Sequence, residues 1–137
     1  MKSTVVLLLF TIGLVGSGCE ETESGNLKGS FSGTFTAHGT PVTPEQSGPV
    51  QVTFDGNSYR STSNPDRIPA GGSGTFRFAD KTQIVFEDKN IWTADFSWGL
   101  ILDGEYEYKF KGDSLYLTRY SDSGEAKVYE YKLKRDR

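Results

Sequence analysis

Hydrophobic and polar residues alternate with a period of two over most of the chain after Lys28. This pattern predicts β-strands with one buried face, because successive side chains of a strand point to opposite sides. We expect the following apolar sets to face inward: Phe31, Gly33 and Phe35; Val50, Val52 and Phe54; Phe76 and Phe78; Ile84 and Phe86; Trp92, Ala94, Phe96, Trp98, Leu100 and Leu102; Tyr106, Tyr108 and Phe110; Leu115 and Leu117; and Tyr129, Tyr131 and Leu133.

The longest of these runs extends from Trp92 to Leu102. A helix over this segment would scatter its aromatic side chains around the axis, so we predict a strand there, with Trp98 in the core. Thr93, Asp95, Ser97 and Gly99 would then form its outward face.

Turn signals separate the runs, among them Asp55-Gly56, Asp103-Gly104 and Lys111-Gly112-Asp113. Such pairs supply the positive φ angles that hairpin turns require. We count about nine strands, and the 13% aromatic content and 16 glycines suit twisted strands joined by tight turns. The fold class is therefore all-β: an antiparallel up-and-down meander that closes into a barrel of eight to nine strands, which also hides the strand edges.

Two longer loops, 39–49 and 62–74, contain all five prolines of the chain. Every second connection of a meander lies at the same end, so both loops should share one rim with the turns at 87–90 and 111–113. The amino terminus would enter at the other rim.

The amino-terminal residues have the layout of a secretory signal, with basic Lys2, an apolar run from Val5 to Val15 and small residues before Cys19. The run is shorter than the roughly 20 apolar residues that span a bilayer as a helix. We therefore divide the chain into a signal peptide at 1–18, a tether at 19–27 and a β domain at 28–137.

Cys19 is the one cysteine of the chain and follows Gly16, Ser17 and Gly18. This stretch resembles the bacterial lipobox, although Gly16 stands where Leu or Val is usual. The resemblance implies cleavage before Cys19, diacylglycerol on its sulfur and attachment to a membrane. The alternative is an ordinary cleavable signal followed by an incidental free thiol, which is a liability in an exported protein.

The stretch IVFEDKNIWTADFSWGLILDGEYEYKF at 84–110 resembles the carboxy-terminal half of the lipocalin-like domains of small Bacteroidetes envelope lipoproteins. The resemblance covers about the last 65 residues and implies a lipocalin-like β-barrel in an outer-membrane lipoprotein. Acidic residues after Cys19 are similar to signals that direct such lipoproteins to the cell surface. The first strand has GSFSGTF in place of the Gly-x-Trp motif of true lipocalins, so their ligand role is not implied.

Composition and motifs offer little support for catalysis. Without the signal, 14 Lys and Arg stand against 18 Asp and Glu, a formal charge of -4 that does not suggest a nucleic-acid surface. His38 lies in a polar, glycine-flanked segment and is expected to be solvated. Glu105 and Glu107 are expected on the solvated face of their strand, and Asp95 in a structural role. We therefore expect no enzyme activity, no catalytic residues, no metal site and no cofactor.

Two functional hypotheses remain. In the first, the barrel mouth binds a small apolar or amphipathic ligand, with Trp92 and Tyr129 as candidate lining residues. In the second, the long loops at 39–49 and 62–74 form a protein-interaction or inhibitor module that contacts an envelope protein. With so many inward aromatic residues, we expect most of the rings to form a packed core and not to line a ligand cavity. The expected partners are the membrane, through Cys19, and one of these two ligands, with the domain as a monomer.

Overall fold

The computed structural model describes residues 27–39, 44–93, 97–121 and 126–137 of the chain. In these ranges the strands are β1 (Gly29–Gly39), β2 (Gln46–Asp55), β3 (Ser58–Ser61), β4 (Gly72–Phe78), β5 (Gln83–Asp88), β6 (Gly104–Lys111), β7 (Ser114–Tyr120) and β8 (Ala126–Arg135). Each strand pairs antiparallel with the next, and β1 pairs with β8 to close the barrel. The predicted all-β, up-and-down barrel of eight to nine strands is confirmed, with eight.

The closing seam between β1 and β8 depends on a glycine. Gly33 pairs with Leu133, and a Cβ atom at Gly33 would lie 1.8 Å from the carbonyl oxygen of Lys132. No side chain fits in that space, so Gly33 allows the first and last strands to approach closely.

The barrel interior is filled by the inward rows that the alternation predicts. Phe54 packs edge-on against Phe76 with 5.1 Å between ring centroids, and Tyr59 packs edge-on against Phe86 at 4.9 Å. Offset and edge-to-face contacts of this kind are the favoured arrangements of aromatic rings. The interior around these rings is therefore a packed core.

The antiparallel order gives the barrel two distinct ends. The mouth is the end with the connections from β1 to β2, β3 to β4, β5 to β6 and β7 to β8, and the base is the other end. Both long loops and the 87–90 segment lie at the mouth, and the chain enters β1 at the base, as predicted. Leu27, assigned to the tether from sequence, is only 5% exposed and belongs to the core.

The prediction for the 111–113 turn was wrong, because this turn lies at the base. The backbone N–H of Arg135, near the end of β8, donates to the carbonyl of Asp113 at 2.8 Å. A ninth strand over 92–102 would have reversed the direction of every later strand, and that strand does not form.

The described residues of the segment 92–102 lie at the mouth and outside the eight strands. They contain a short 3₁₀ turn at Trp98–Leu100 and no strand. Leu100 and Leu102 are buried as predicted, but Trp98 is 58% exposed, so its assignment to the core was wrong. The eight strands already pair in a closed ring, which leaves no free edge for another strand to join.

The predicted loop at 39–49 is shorter in the structure, because β2 begins at Gln46. Pro49 pairs with Thr34 inside the sheet, and a Cβ atom at Gly48 would lie 2.0 Å from the carbonyl oxygen of Ile68. The Gly-Pro pair that suggests a loop thus allows the connection between β3 and β4 to lie directly across β2.

The signal peptide, Cys19 and most of the tether lie outside the described residues, as does Asp95. The cleavage, lipidation and membrane attachment inferred from the sequence therefore stay predictions. In the part of the chain that the structure describes, no helix is long and apolar enough to cross a membrane.

Candidate functional site

Two inward rows of side chains change from apolar to charged as they reach the mouth. Along β5, buried Phe86 is followed at the next inward position by Asp88, and along β7, buried Leu117 is followed by Arg119. Asp88 and Arg119 are both half-buried. Charged residues rarely face a barrel interior without a partner or a function, so these two residues mark the mouth as the candidate site.

A cavity of about 450 Å³ opens at the mouth beside these two residues. Its volume lies within the range of small-molecule sites, about 300 to 1,000 Å³. The aromatic residues that line it are Trp92, Trp98 and Tyr129, and the charged ones are Asp88, Asp103 and Arg119. The structure thus brings the two sequence-predicted residues, Trp92 and Tyr129, to one cavity, and ligand binding by them stays a prediction.

Asp88 fixes the start of the connection between β5 and β6. Its Oδ1 atom accepts hydrogen bonds from the backbone N–H of Ser73 at 2.9 Å and from the side-chain amide of Asn90 at 2.6 Å. Its Oδ2 atom accepts a hydrogen bond from the indole N–H of Trp92. Asp88 therefore orients the Trp92 ring at the cavity wall, and both of its oxygens are occupied by the protein itself.

The 3₁₀ turn at Trp98–Leu100 forms the opposite wall. Gly99 lies against the ring of Tyr129, and a Cβ atom at position 99 would be 2.2 Å from the Tyr129 Cζ atom. Tyr129 in turn stacks on Phe35 with 6.4 Å between centroids. Because Gly99 has no side chain, the turn packs directly on Tyr129. This packing places the exposed Trp98 at the rim of the cavity.

The residues after this turn close part of the mouth. The backbone N–H of Ala70 donates to the carbonyl of Leu100, and that of Leu102 donates to the carbonyl of Gly71, both at 2.9 Å. The hydroxyl of Tyr59 donates to the carbonyl of Leu102 from below. The two longest described connections are thus joined over the core, and the cavity lies beside this joint.

The guanidinium of Arg119 lies at the cavity and makes few hydrogen bonds within the protein. One terminal N–H group donates to the backbone carbonyl of Asp103 at 2.9 Å. Among the described residues no carboxylate oxygen lies within 4.0 Å of it. Gly104, with φ of +90°, follows Asp103, and a Cβ atom there would lie 3.5 Å from the guanidinium. That distance is an ordinary contact, so the positive φ and not the space beside Arg119 favours glycine at this position.

Two buried phenols lie close to Arg119. Burial raises the pKa of Tyr106 to about 12, against the opposing effect of the nearby guanidinium. Burial also raises the pKa of Tyr131 well above its usual value, with Tyr106 as a further cause. Among the described residues neither hydroxyl has a hydrogen bond of ordinary geometry, although the Tyr106 phenol lies close to both the Arg119 guanidinium and the Tyr131 hydroxyl. The raised pKa values keep both phenols protonated at neutral pH.

Sequence reasoning missed Asp88, Asp103 and Arg119. The signal for two of them is present: Asp88 continues the inward series of β5, and Arg119 continues that of β7. Asp88 was assigned to the 87–90 turn and Arg119 received no assignment, whereas both are inward residues at the mouth. Asp103 was read only as part of a turn.

The remaining predicted polar positions lie elsewhere. Glu105 and Glu107 are exposed on the outer face of β6, as predicted. His38 is partly exposed on β1 and is more closely paired than expected, with Nδ1 3.1 Å from Glu45 and Nε2 2.9 Å from Glu130. In the described ranges no three His, Cys, Asp or Glu residues form a group that could hold a metal ion.

A second depression, of about 710 Å³, lies on the barrel wall. Its lining includes outward side chains of β6 and β7 such as Glu107, Lys109 and Tyr116, together with Lys81 from the turn between β4 and β5. These residues form the solvated surface that alternation predicts. Tyr108 and Phe110 of the inward row of β6 also line the depression, but its charged side chains belong to the outer face and to the turn, unlike Asp88 and Arg119 at the mouth.

Comparison with known proteins gives this chain no relative. No family model matches the chain, and neither a curated protein nor a solved structure shows significant similarity to it.

Proposed function

We propose that this chain is a non-enzymatic binding protein that holds a small amphipathic ligand at the barrel mouth. The observation that carries the proposal is the convergence of Trp92, Trp98, Tyr129 and Arg119 on one cavity of about 450 Å³. Aromatic walls with a few fixed polar groups are typical of small-molecule sites. The core below is packed, so a ligand would lie in the mouth and not deep in the barrel.

We propose further that the chain is a lipoprotein of the bacterial outer membrane, anchored through lipid on Cys19 and resembling lipocalin-like domains. The amino-terminal layout supports this proposal. The fold is compatible with it, because the chain enters at the base, opposite the mouth. A protein anchored in this way would present its mouth away from the membrane, toward a ligand in solution.

The anchor is tested by Cys19→Ala in the full chain. We expect the variant to appear in the soluble fraction with an unchanged melting temperature, because the core that the structure describes is built from Leu27 and later residues. The comparison protein is the unaltered chain, whose mature form should carry the mass of an acylated cysteine. Persistent membrane association of Cys19→Ala without detergent would contradict the anchor.

A protein-interaction module is the second candidate. Three large hydrophobic side chains are exposed in the described residues, Ile91, Trp98 and Tyr120, and all three lie at the mouth. Apolar groups gathered at one end of a monomer are typical of protein contact surfaces. Ile91 and Tyr120 do not line the cavity, so they separate the two functions.

Native mass spectrometry of the full chain, purified from envelope extract, tests both functions. If a small ligand binds in the cavity, a bound small mass should be present and should be lost in Trp92→Ala but kept in Ile91→Ala. If the rim binds a protein, a stoichiometric protein should be present and should be lost in Ile91→Ala. A small mass that is lost equally in both variants, or in neither, would contradict binding in the cavity.

A further inference from the structure

Arg119 extends into the proposed ligand site from an inward position of β7. One of its terminal N–H groups donates to the carbonyl of Asp103 at 2.9 Å, and its other polar neighbour is the neutral phenol of Tyr106. A guanidinium has five N–H donors in a planar fork that matches a carboxylate. A half-buried guanidinium with most of its donors unused is suited to binding an acceptor from outside the protein.

The two carboxylates that share the cavity with Arg119 accept hydrogen bonds from other groups. The Oδ1 atom of Asp103 accepts the backbone N–H of Asp88 at 2.8 Å. Asp88 itself accepts hydrogen bonds on both oxygens, from Ser73, Asn90 and the Trp92 indole. No carboxylate of the described chain lies within ion-pair distance of Arg119, although two share the cavity with it. The positive charge of Arg119 thus remains without a close partner.

Two neutral phenols lie beside Arg119 but outside the cavity. The side chains of Tyr106 and Tyr131 are buried in the core and do not line the cavity. Burial raises the pKa of both phenols, so neither is ionised near neutral pH and neither offsets the charge of the guanidinium. A negative group that neutralises Arg119 at close range would therefore have to come from a ligand.

We propose that the ligand is a small carboxylic acid, whose carboxylate binds Arg119 at the cavity floor while its apolar body lies between Trp92, Trp98 and Tyr129. The inference rests on the proposed function, since it names the class of ligand for the same cavity. A ligand carboxylate supplies the close charged acceptor that no carboxylate of the described chain gives Arg119, and bidentate pairing with arginine makes charge-assisted hydrogen bonds. The aromatic walls bind a flat or aliphatic body on the mouth side.

The test uses three compounds of similar shape and different charge: cinnamate, cinnamamide and cinnamylamine. Each is titrated into the purified full chain by isothermal titration calorimetry near neutral pH. We expect cinnamate to bind at least about tenfold more tightly than the amide, the effect of a hydrogen bond to a charged group. Arg119→Gln should remove this preference and leave the affinity for the amide unchanged. Arg119→Lys should retain part of it.

The control is Arg60→Gln, because Arg60 is an exposed arginine on β3 outside the cavity. It should retain the full preference for cinnamate. If the acid and the amide bind the unaltered chain equally, the carboxylate inference is wrong while the proposed function stands. Tightest binding of the amine would likewise overturn the inference and indicate a cation held by Asp103. If none of the three binds, both the inference and the proposed site for aromatic ligands fail.

Discussion

The two buried phenols beside Arg119 make the stability of the barrel sensitive to alkaline pH. Burial raises the pKa of Tyr106 to about 12 from its ordinary value of 10.0, and raises that of Tyr131 well above the ordinary value. In the unfolded chain both phenols ionise near pH 10. Between about pH 10 and pH 12 the unfolded chain has therefore lost a proton that folded Tyr106 retains, and the free energy of unfolding falls as the pH rises.

The magnitude follows from the size of the shift. Two pKa units at about 1.4 kcal/mol each give a loss of about 2 to 3 kcal/mol for Tyr106. This contribution is fully present below pH 10 and is lost as the pH approaches 12. Tyr131 shifts in the same direction and adds to the loss.

Urea unfolding of the full chain at about pH 8, pH 10 and pH 12 measures the effect. Tyr106→Phe removes the ionisable group. From pH 8 to pH 12, the free energy of unfolding of this variant should therefore fall by about 2 to 3 kcal/mol less than that of the unaltered chain. At pH 8 the variant should be as stable or slightly more stable, because it loses a hydroxyl that has no described partner. The other ionisable groups are the same in both proteins, so their contributions to the pH dependence of stability cancel in the comparison.

The matched control is Tyr120→Phe, because Tyr120 is 67% exposed and lies on the same barrel. Its stability should follow that of the unaltered chain at every pH. If Tyr106→Phe loses as much stability at alkaline pH as Tyr120→Phe does, then the Tyr106 phenol is not buried as described and the reasoning is refuted.

Three further substitutions separate the core from the mouth, all measured by urea unfolding. Trp98→Ala should cost less than about 1 kcal/mol because its ring is 58% exposed, whereas Phe86→Ala should cost about 3 to 5 kcal/mol; similar losses would place Trp98 in the core. Gly99→Ala should cost about 1 to 3 kcal/mol and shift the Tyr129 ring resonances, since the new methyl group overlaps that ring; unshifted resonances would disprove the contact. Leu27→Ala should cost about 2 to 5 kcal/mol, because Leu27 is buried; an unchanged stability would show that Leu27 is part of the tether and not of the core.

Most of the fold could be predicted because alternation reports a physical requirement of the sheet. A row such as Tyr129, Tyr131 and Leu133 must face one side of a strand, and the barrel buries all three. The strand predicted from Trp92 to Leu102 does not form, and the reason lies in what alternation leaves out. Alternation reports polarity only, whereas a strand also needs an edge to pair with, and the closed ring of eight strands offers none.

The candidate site was only partly predictable, because its members come from distant parts of the chain. Trp92 and Tyr129 were chosen as aromatic residues near the mouth, and the structure places both at the cavity. Arg119 was missed because its role depends on which residues surround it. Only the structure shows that Asp88 and Asp103 accept other hydrogen bonds and leave the guanidinium without a close carboxylate.

The division between a packed interior and a polar mouth has a consequence for how this barrel could change its ligand. The rings around Phe54 and Phe86 pack against each other within the strands, whereas Trp92 and Trp98 belong to the connection between β5 and β6. Trp98 is 58% exposed, so substitutions at this position should alter binding with little loss of stability. Tyr129 and Trp92 differ from it, because both line the cavity, Tyr129 also stacks on Phe35 and Trp92 packs against the core. Changes at Tyr129 and Trp92 should therefore affect affinity and stability together, and those at Trp98 mainly affinity.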